Sequence, residues 1–209
     1  MSTLGRFREA FGERAEGVYL GTLQQIMRYV RGWSSVNILA AIGAAMEVSG
    51  AGYLEVGCMN GRTLCGAMVG NGDRLFVGVD DLSQSTPRDA LLGNVGKLHP
   101  GVEFHFYEMD YREFFRMHAR QYQGRIGCYF YDADHSLAGQ RDGLWLAAES
   151  GILANEAFIV VDDYSWPNTK WAIGEFLATW PGWIGLAEED DGNCRGWWNG
   201  LVVLYRNHK

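Results

Sequence analysis

Two short acidic segments of this chain carry residues that could bind a metal ion and move a proton. Asp132, Asp134 and His135 follow one apolar stretch, and Asp162 and Asp163 follow another. If both stretches are strands of one parallel sheet, the acids meet at the edge where open α/β sheets hold their ligands. Carboxylates that meet without a counter-charge repel each other, so a divalent cation is their natural partner.

The same acids have a second interpretation as helix caps. Asp132 or Asp134 can cap a helix that begins near Ser136. Asp163 can cap a helix that begins near Pro167. The residues alone leave both interpretations open, because acids at strand ends of α/β folds often cap the next helix.

A glycine turn earlier in the chain could hold a ligand close to its backbone. Glu55, Gly57 and Gly61 form an E-x-G-x-x-x-G pattern between a predicted strand and a predicted helix. Glycine lets a ligand approach the backbone closely, and a helix start presents free N–H groups. The hydride-transfer pattern G-x-G-x-x-G is not matched, because Met59 and Arg62 stand at its second and third glycines.

Two further acids end the next two predicted strands. Asp80 ends the second strand, where a carboxylate can accept both hydroxyls of a ribose. Asp110 follows the third strand. With the glycine turn, these acids place polar groups at three successive strand ends, which favours a ligand site over a plain strand–helix connection.

The hydrophobic pattern that must position these residues alternates between strand and helix. Strands are predicted at 53–56, 75–79, 102–107, 128–131 and 158–161, with helices at 62–69, 87–98, 111–121, 137–150 and 167–179. This alternation predicts a doubly wound α/β fold, a parallel sheet with helices on both faces. The stretches 183–187 and 201–205 have no helix between them, so they predict an antiparallel hairpin that completes a seven-stranded sheet. The first fifty residues are predicted to be helical, at 18–30 and from 34 or 35 to 48.

Composition limits the functional classes. A chain of 209 residues is most simply one folding unit, and its net charge of −7 without a basic run argues against a nucleic-acid surface. Its four cysteines form no C-x-x-C pair, which argues against a zinc or disulfide framework. The apolar run 38–46 is too short to span a bilayer, and no leader pattern opens the chain. We therefore expect a soluble cytoplasmic protein.

The segment from Tyr53 to Tyr205 resembles the class I S-adenosylmethionine-dependent methyltransferases, which have a Rossmann-like fold. The resemblance rests on the glycine turn, the acids at the strand ends and the later D-x-D-H and D-D-Y motifs. It implies that Glu55, Gly57 and Gly61 shape the pocket for the amino-acid part of the cofactor. It also implies that Asp80 binds the ribose and that Asp110 and Tyr111 flank the adenine.

Within that family, the chain is similar to small metal-dependent O-methyltransferases. The similarity implies a magnesium ion, with calcium or manganese as alternatives, held by Asp132, Asp162 and Asp163. It makes His135 the base that takes a proton from the hydroxyl of a small-molecule acceptor, such as a sugar, a polyketide-derived compound or a phenol. A metal-independent methyltransferase and a non-catalytic cofactor-binding protein remain as alternatives.

Two other segments are expected to complete the site or an oligomer. Residues 1–50 resemble the helical lid or oligomerisation segment that precedes the catalytic domain, here residues 51–209, in small methyltransferases. The segment 190–198 could close over the site or contact a second subunit, and Trp166 could line the acceptor pocket. Asp134 could cap the next helix or support His135.

Overall fold

The computed structural model describes residues 1–84, 87–189 and 196–207, without the side chains of Glu188 and Asn207. The described helices are α1 (Thr3–Ala15), α2 (Leu20–Tyr29), α3 (Val36–Ser49), α4 (Arg62–Met68), α5 (Arg88–Leu98), α6 (Tyr111–Met117), α7 (Leu137–Glu149) and α8 (Pro167–Thr179), with a short 3-10 helix at Ala119–Tyr122. The described strands are β1 (Gly52–Val56), β2 (Phe76–Asp80), β3 (Phe104–Glu108), β4 (Ile126–Tyr131), β5 (Leu153–Asp162), β6 (Trp183–Glu189) and β7 (Leu201–Asn207).

The strands form one sheet in the order β3-β2-β1-β4-β5-β7-β6. The pairs from β3 to β5 are parallel, and β7 pairs antiparallel with both β5 and β6. The predicted seven-stranded doubly wound sheet with its C-terminal antiparallel hairpin is therefore confirmed. Chain order reverses between β1 and β4, so the ends of these two strands open the crevice where such sheets bind ligands.

Alternating side chains along the strands bury the sheet between two helical layers. On β4, Cys128 and Phe130 belong to a core with α1 to α5, while Tyr129 and Tyr131 belong to a core with α6 to α8. This period of two is what a strand that is covered on both faces requires. The rigid sheet fixes the positions of the strand ends that carry the acids.

The N-terminal segment contains three helices, where the sequence predicted two. Tyr19 separates α1 from α2, and Ser35 caps α3 by accepting a hydrogen bond from the Ile38 amide (3.3 Å). The apolar run within α3 is fully buried against the sheet. The burial of this run explains why it is hydrophobic. Within the part of the chain that the structure describes, none of the helices has the length and hydrophobicity of a membrane-spanning segment.

Candidate functional site

An open cleft of about 370 Å³ lies at the C-terminal ends of the parallel strands. Its walls come from the ends of β1 to β4 and from the loop before α3. The lining side chains include Trp33, Asp80, Asp81, Met109, Asp110, Tyr111, Arg112, Asp132, Asp134 and His135, and Gly57 and Met59 of the glycine turn. Six of the ten site residues predicted from the sequence therefore share one cleft: Gly57, Asp80, Asp110, Tyr111, Asp132 and His135.

Gly57 sits where β1 meets β4, and the backbone there leaves no room for a side chain. Its φ of +89° lies in the left-handed region, and a Cβ at this position would lie 1.8 Å from the carbonyl oxygen of Asp132. The Asp132 amide donates in turn to the carbonyl oxygen of Val56 (2.9 Å). Glycine is therefore required for the glycine turn to approach the acid at the end of β4.

Glu55 lies behind the glycine turn and is fully buried. Its carboxyl group accepts hydrogen bonds from the hydroxyls of Tyr53 (2.7 Å) and Thr63 (2.6 Å). Burial is the largest cause that raises the pKa of Glu55 to about 8. Glu55 thus ties β1 to α4 from inside, and Gly61, in the left-handed region at φ +79°, begins that helix.

Asp80 faces the cleft, and each of its carboxylate oxygens accepts one backbone hydrogen bond. The donors are the amides of Met59 and Leu82, each at 2.7 Å. Both donors have positive φ, +47° and +56°, a conformation that non-glycine residues seldom adopt. Asp80 therefore holds the glycine turn in place and keeps lone pairs for a ligand, because each carboxylate oxygen has two acceptor sites.

Asp110 and Tyr111 form the wall at the end of β3. Asp110 caps α6 by accepting a hydrogen bond from the Arg112 amide (2.7 Å), and the Tyr111 hydroxyl donates to the Gly139 carbonyl (3.1 Å). The Arg112 guanidinium lies over the Tyr111 ring, 4.5 Å from its centroid, and also pairs with Asp142 (2.6 Å). The wall is therefore held in place by hydrogen bonds and an ion pair, with the Arg112 guanidinium packed on the Tyr111 ring.

The ends of β4 and β5 bring Asp132, His135 and Asp163 together. Each of them offers one ligand atom, and these atoms all lie within 4.8 Å of one another. His135 Nδ1 lies 3.3 Å from Asp163 Oδ2, and the His135 ring lies beside that of Trp166, with centroids 5.1 Å apart. We call these three residues the acid–histidine group.

Asp162 does not belong to the acid–histidine group. Its side chain is buried, and its Oδ1 accepts a hydrogen bond from the backbone amide of Asp163 (3.0 Å). Asp163 has φ +54°, so this contact supports a left-handed residue at the end of β5. The ligand role of Asp162 stays a prediction.

The acids at these strand ends raise each other's pKa. Burial, followed by the charges of Asp163 and Asp80, raises the pKa of Asp132 to about 7. Burial, followed by the charges of Asp132 and Asp163, raises the pKa of Asp162 well above its usual range. Both carboxyl groups therefore lack a compensating positive charge, which a bound cation would supply.

Asp134 does not cap α7, one of the roles that the sequence left open, because Ser136 is the N-cap and Asp134 lies in the turn before the helix. Its Oδ1 accepts a hydrogen bond from the Ser136 amide (2.9 Å), and its Oδ2 lies 3.4 Å from Arg112 Nη2. Ser136 is the N-cap of α7, and its own hydroxyl accepts from the Gly139 amide (3.0 Å). Asp134 is thus held by the turn before α7 and by Arg112. Asp163 likewise does not cap α8, whose N-cap is Trp166.

The fold brings three further residues to the site that the sequence pattern did not predict as site residues. Trp33 lines the cleft although it is 61% exposed, and the buried Ser34 lines a small recess beside the glycine turn, where its hydroxyl has no described partner. Asn199, from the turn before β7, donates to Asp163 Oδ1 (2.8 Å). No local pattern marks these residues, because each reaches the site through tertiary contacts. The segment 190–195, predicted as part of a lid or subunit contact, lies outside the described residues.

No protein-family model matches this sequence, and no curated protein matches it. Solved structures match it in fold. An O-methyltransferase from Bacillus cereus in complex with S-adenosylhomocysteine has a TM-score of 0.68 at 11% identity, covering 99% of this chain and 100% of that one. The O-methyltransferase TomG from Streptomyces achromogenes is involved in tomaymycin synthesis and was solved in complex with S-adenosylmethionine. It has a TM-score of 0.64 at 12% identity, covering 90% of this chain and 89% of that one. A Pyrococcus horikoshii protein described as an RNA methyltransferase has a TM-score of 0.59 at 14% identity, covering 90% of this chain and 94% of that one. At these identities the likeness shows a shared Rossmann-like methyltransferase fold.

Proposed function

We propose that this protein is an S-adenosylmethionine-dependent methyltransferase that methylates a hydroxyl of a small metabolite with the help of a divalent cation. One observation carries the proposal. Asp132 and His135 of the acid–histidine group line the same cleft as Asp80, the acid at the end of β2. A nucleoside cofactor on Asp80 and a metal on the acids would therefore be neighbours.

The cleft has the groups that the cofactor needs along its length. Asp80 would accept the ribose hydroxyls, and Asp110, Met109 and Tyr111 would flank the adenine. The glycine turn would approach the amino-acid end, where Gly57 and Met59 line the cleft. Bound S-adenosylmethionine supplies a methyl group on a positively charged sulfur, which an acidic cleft favours.

The donor set fits a divalent cation. The carboxylates of Asp132 and Asp163 lie close enough to converge on one ion, with His135 beside them, and oxygen ligands of this kind suit magnesium or manganese. A cation there would offset the repulsion that raises the pKa of Asp132. When bound, it would lower the pKa of an acceptor hydroxyl and orient it.

His135 is the proposed base. Asp163 Oδ2 at 3.3 Å from Nδ1 favours the tautomer with the proton on Nδ1, which leaves Nε2 free to take a proton. The bond from Asn168 Nδ2 to the His135 carbonyl oxygen (3.2 Å) helps to fix the backbone. The acceptor oxygen would then attack the methyl carbon in line with the departing sulfur, and alignment in the cleft would supply much of the rate.

A small acceptor fits the charge and shape of the site better than a nucleic acid. Trp166 beside His135 is 42% exposed, and with Trp33 it offers an aromatic surface near the cleft. The chain carries a net charge of −7, whereas a nucleic-acid surface needs clustered positive charge. The proposed acceptor is therefore a small hydroxylated compound. A second copy of the chain is a further proposed partner.

The test is methyl transfer from S-adenosylmethionine with a labelled methyl group to a low-molecular-weight metabolite extract. Wild-type protein is compared with Asp132→Asn and with wild type plus a chelator. The proposal predicts label in the small-molecule fraction that both the substitution and the chelator reduce at least about 100-fold, since the metal and its ligand act only together.

The other outcomes separate the alternatives. Label transfer that the chelator leaves unchanged would overturn the metal-assisted reaction and favour a metal-independent methyltransferase. Binding of S-adenosylhomocysteine without label transfer to any fraction would favour a non-catalytic cofactor-binding protein. Label in a protein or RNA fraction alone would contradict a small acceptor.

A further inference from the structure

The turn that precedes β7 reaches across to the end of β5 and fastens onto it. The Ser165 amide donates to the Asn199 carbonyl (2.8 Å), and the Tyr164 amide donates to the Gly200 carbonyl (3.3 Å). The side-chain amide of Asn199 donates to Asp163 Oδ1 (2.8 Å). We call these three bonds the 163–199 clasp.

We propose that Asn199 is a positioning residue that holds the Asp163 carboxylate in the orientation that the metal site needs. This inference rests on the proposed metal-assisted function. Because Asn199 engages Oδ1, the carboxylate turns its other oxygen, Oδ2, toward His135 Nδ1 at 3.3 Å. Outer partners of this kind fix ligand orientation, and their loss typically reduces metal affinity 10- to 100-fold.

The chemistry of the donor suits this role. Asparagine donates a hydrogen bond without adding a positive charge. A lysine or arginine at the same place would neutralise Asp163 and compete with a cation. The neutral amide therefore orients the carboxylate and leaves its charge available to the metal.

Four residues around the 163–199 clasp have backbone conformations in the left-handed region. Asp163, Trp198 and Asn199 all have positive φ, +54°, +42° and +65°. Gly200 is also left-handed, and a Cβ there would lie 2.5 Å from the Glu189 carbonyl oxygen. Strained residues of this kind persist where the surroundings over-determine them, often at functional sites.

The far side of the turn is anchored to the N-terminal helix. Trp197 stacks on Phe11 of α1, with ring centroids 5.6 Å apart and an angle of 17° between the rings. The turn is thus held at Trp197 and at Asn199. This double anchoring gives the amide of Asn199 a fixed position from which to orient Asp163.

The test is calorimetric titration of manganese alone into metal-free protein, wild type against Asn199→Gly and Asn199→Ala. Glycine keeps the left-handed backbone at no steric cost, and alanine limits chain flexibility but pays for the positive φ. The two variants therefore carry different backbone penalties and share only the loss of the amide.

The proposal predicts that manganese Kd rises about 10- to 100-fold in each variant that folds. The Kd of S-adenosylhomocysteine should change by less than about two-fold. A loosened fold would weaken the binding of both ligands, whereas a misplaced carboxylate would weaken the binding of manganese alone. Wild-type manganese affinity in either folded variant would overturn the role of Asn199, and so would an equal loss of both ligands. Failure of the wild type to bind manganese would instead overturn the metal site of the proposed function.

Discussion

At the scale of single residues, the site brings several carboxyl groups together. Burial and mutual repulsion both disfavour their charged forms. Burial is the first cause that raises the pKa of Glu55, Asp132 and Asp162. Glu55 differs from the other two because it lies behind the glycine turn and is bonded to Tyr53 and Thr63. A substitution of Glu55 therefore tests how burial shifts a carboxyl pKa in this fold, and it leaves the proposed metal ligands unchanged.

Glu55→Gln should remove a pH-dependent loss of stability. The pKa of Glu55 is raised from 4.5 to about 8, so between these values the folded state holds a proton that the unfolded state has released. Stability is then fully present below the unfolded pKa and falls as pH rises toward the folded pKa. Between pH 6 and pH 8, the free energy of unfolding of the metal-free wild type should fall by about 2 kcal/mol relative to the variant.

The measurement is urea unfolding at pH 6, 7 and 8 in the presence of a chelator. Glu9→Gln, on the exposed surface of α1, is the matched control, and it should keep the wild-type pH slope. Parallel pH slopes for Glu55→Gln and wild type would show that Glu55 is charged in the folded protein.

Gly57→Ala should destabilise the protein far more than a glycine with the same backbone angle in open space. The added Cβ would meet the Asp132 carbonyl, whereas at Gly101, with φ +85°, nothing lies within 4 Å of an added Cβ. We expect a loss of about 1 kcal/mol for Gly101→Ala and of about 3 kcal/mol or more for Gly57→Ala. Equal losses of unfolding free energy in the two variants would contradict the close approach of β1 and β4.

At the scale of elements, the first helices are joined to the glycine turn by one side chain. Arg62, the first residue of α4, donates from Nε to the Val30 carbonyl (2.7 Å) and from Nη2 to the Met27 carbonyl (3.3 Å). These bonds satisfy carbonyls at the end of α2, which have no helical partner. They also fix the chain that leads to Trp33 in the cleft wall.

Arg62→Met should loosen this connection and weaken cofactor binding. Loss of two hydrogen bonds should lower the free energy of unfolding by about 1–2 kcal/mol. A displaced cleft wall should raise the Kd of S-adenosylhomocysteine about five-fold, which corresponds to about 1 kcal/mol. Arg28→Met, an exposed arginine of α2, is the control for calorimetry and urea unfolding. If both variants bind the ligand as tightly as wild type, the N-terminal segment does not shape the site.

Local sequence pattern predicted the elements well where one apolar run made one element. It placed the first four strands within a few residues. Burial produces short apolar runs in β1, β2 and β4, and the half-exposed edge strand β3 shows alternating exposure along an aromatic-rich sequence. It began β5 at residue 158, whereas the strand starts at Leu153. The missed part contains Glu156, whose carboxylate accepts from Tyr205 (3.1 Å) and pairs with Arg6. Those partners are distant in sequence, so polarity there suggested a loop.

The site divides in the same way between local and distant information. Acids at strand ends could be predicted to converge, because parallel strands end at one edge of a sheet. Asp132, His135 and Asp163 do lie together. The contribution of Asn199 could not be predicted, because the 163–199 clasp joins residues 36 positions apart through a turn with no distinctive pattern.

At the scale of the whole molecule, the reversal of strand order makes one cleft serve two purposes. The glycine turn, Asp80 and the end of β3 line one part, and Asp132 and His135 of the acid–histidine group line the other. The fold alone does not name the ligand, because Rossmann-like sheets bind many nucleotides. The proposed function therefore depends on whether the cleft binds a methyl-donor cofactor or a dinucleotide.

We would first titrate S-adenosylhomocysteine, and separately NAD, into the metal-free protein by calorimetry. The site described above predicts one S-adenosylhomocysteine bound per chain and no heat from NAD, because the turn lacks the second and third glycines of the dinucleotide pattern. Asp80→Ala should weaken S-adenosylhomocysteine binding at least about ten-fold, since it removes the proposed ribose contact and the hydrogen bonds from the Met59 and Leu82 amides. If folded wild-type protein does not bind S-adenosylhomocysteine, or binds NAD in its place, the proposed methyltransferase function is contradicted.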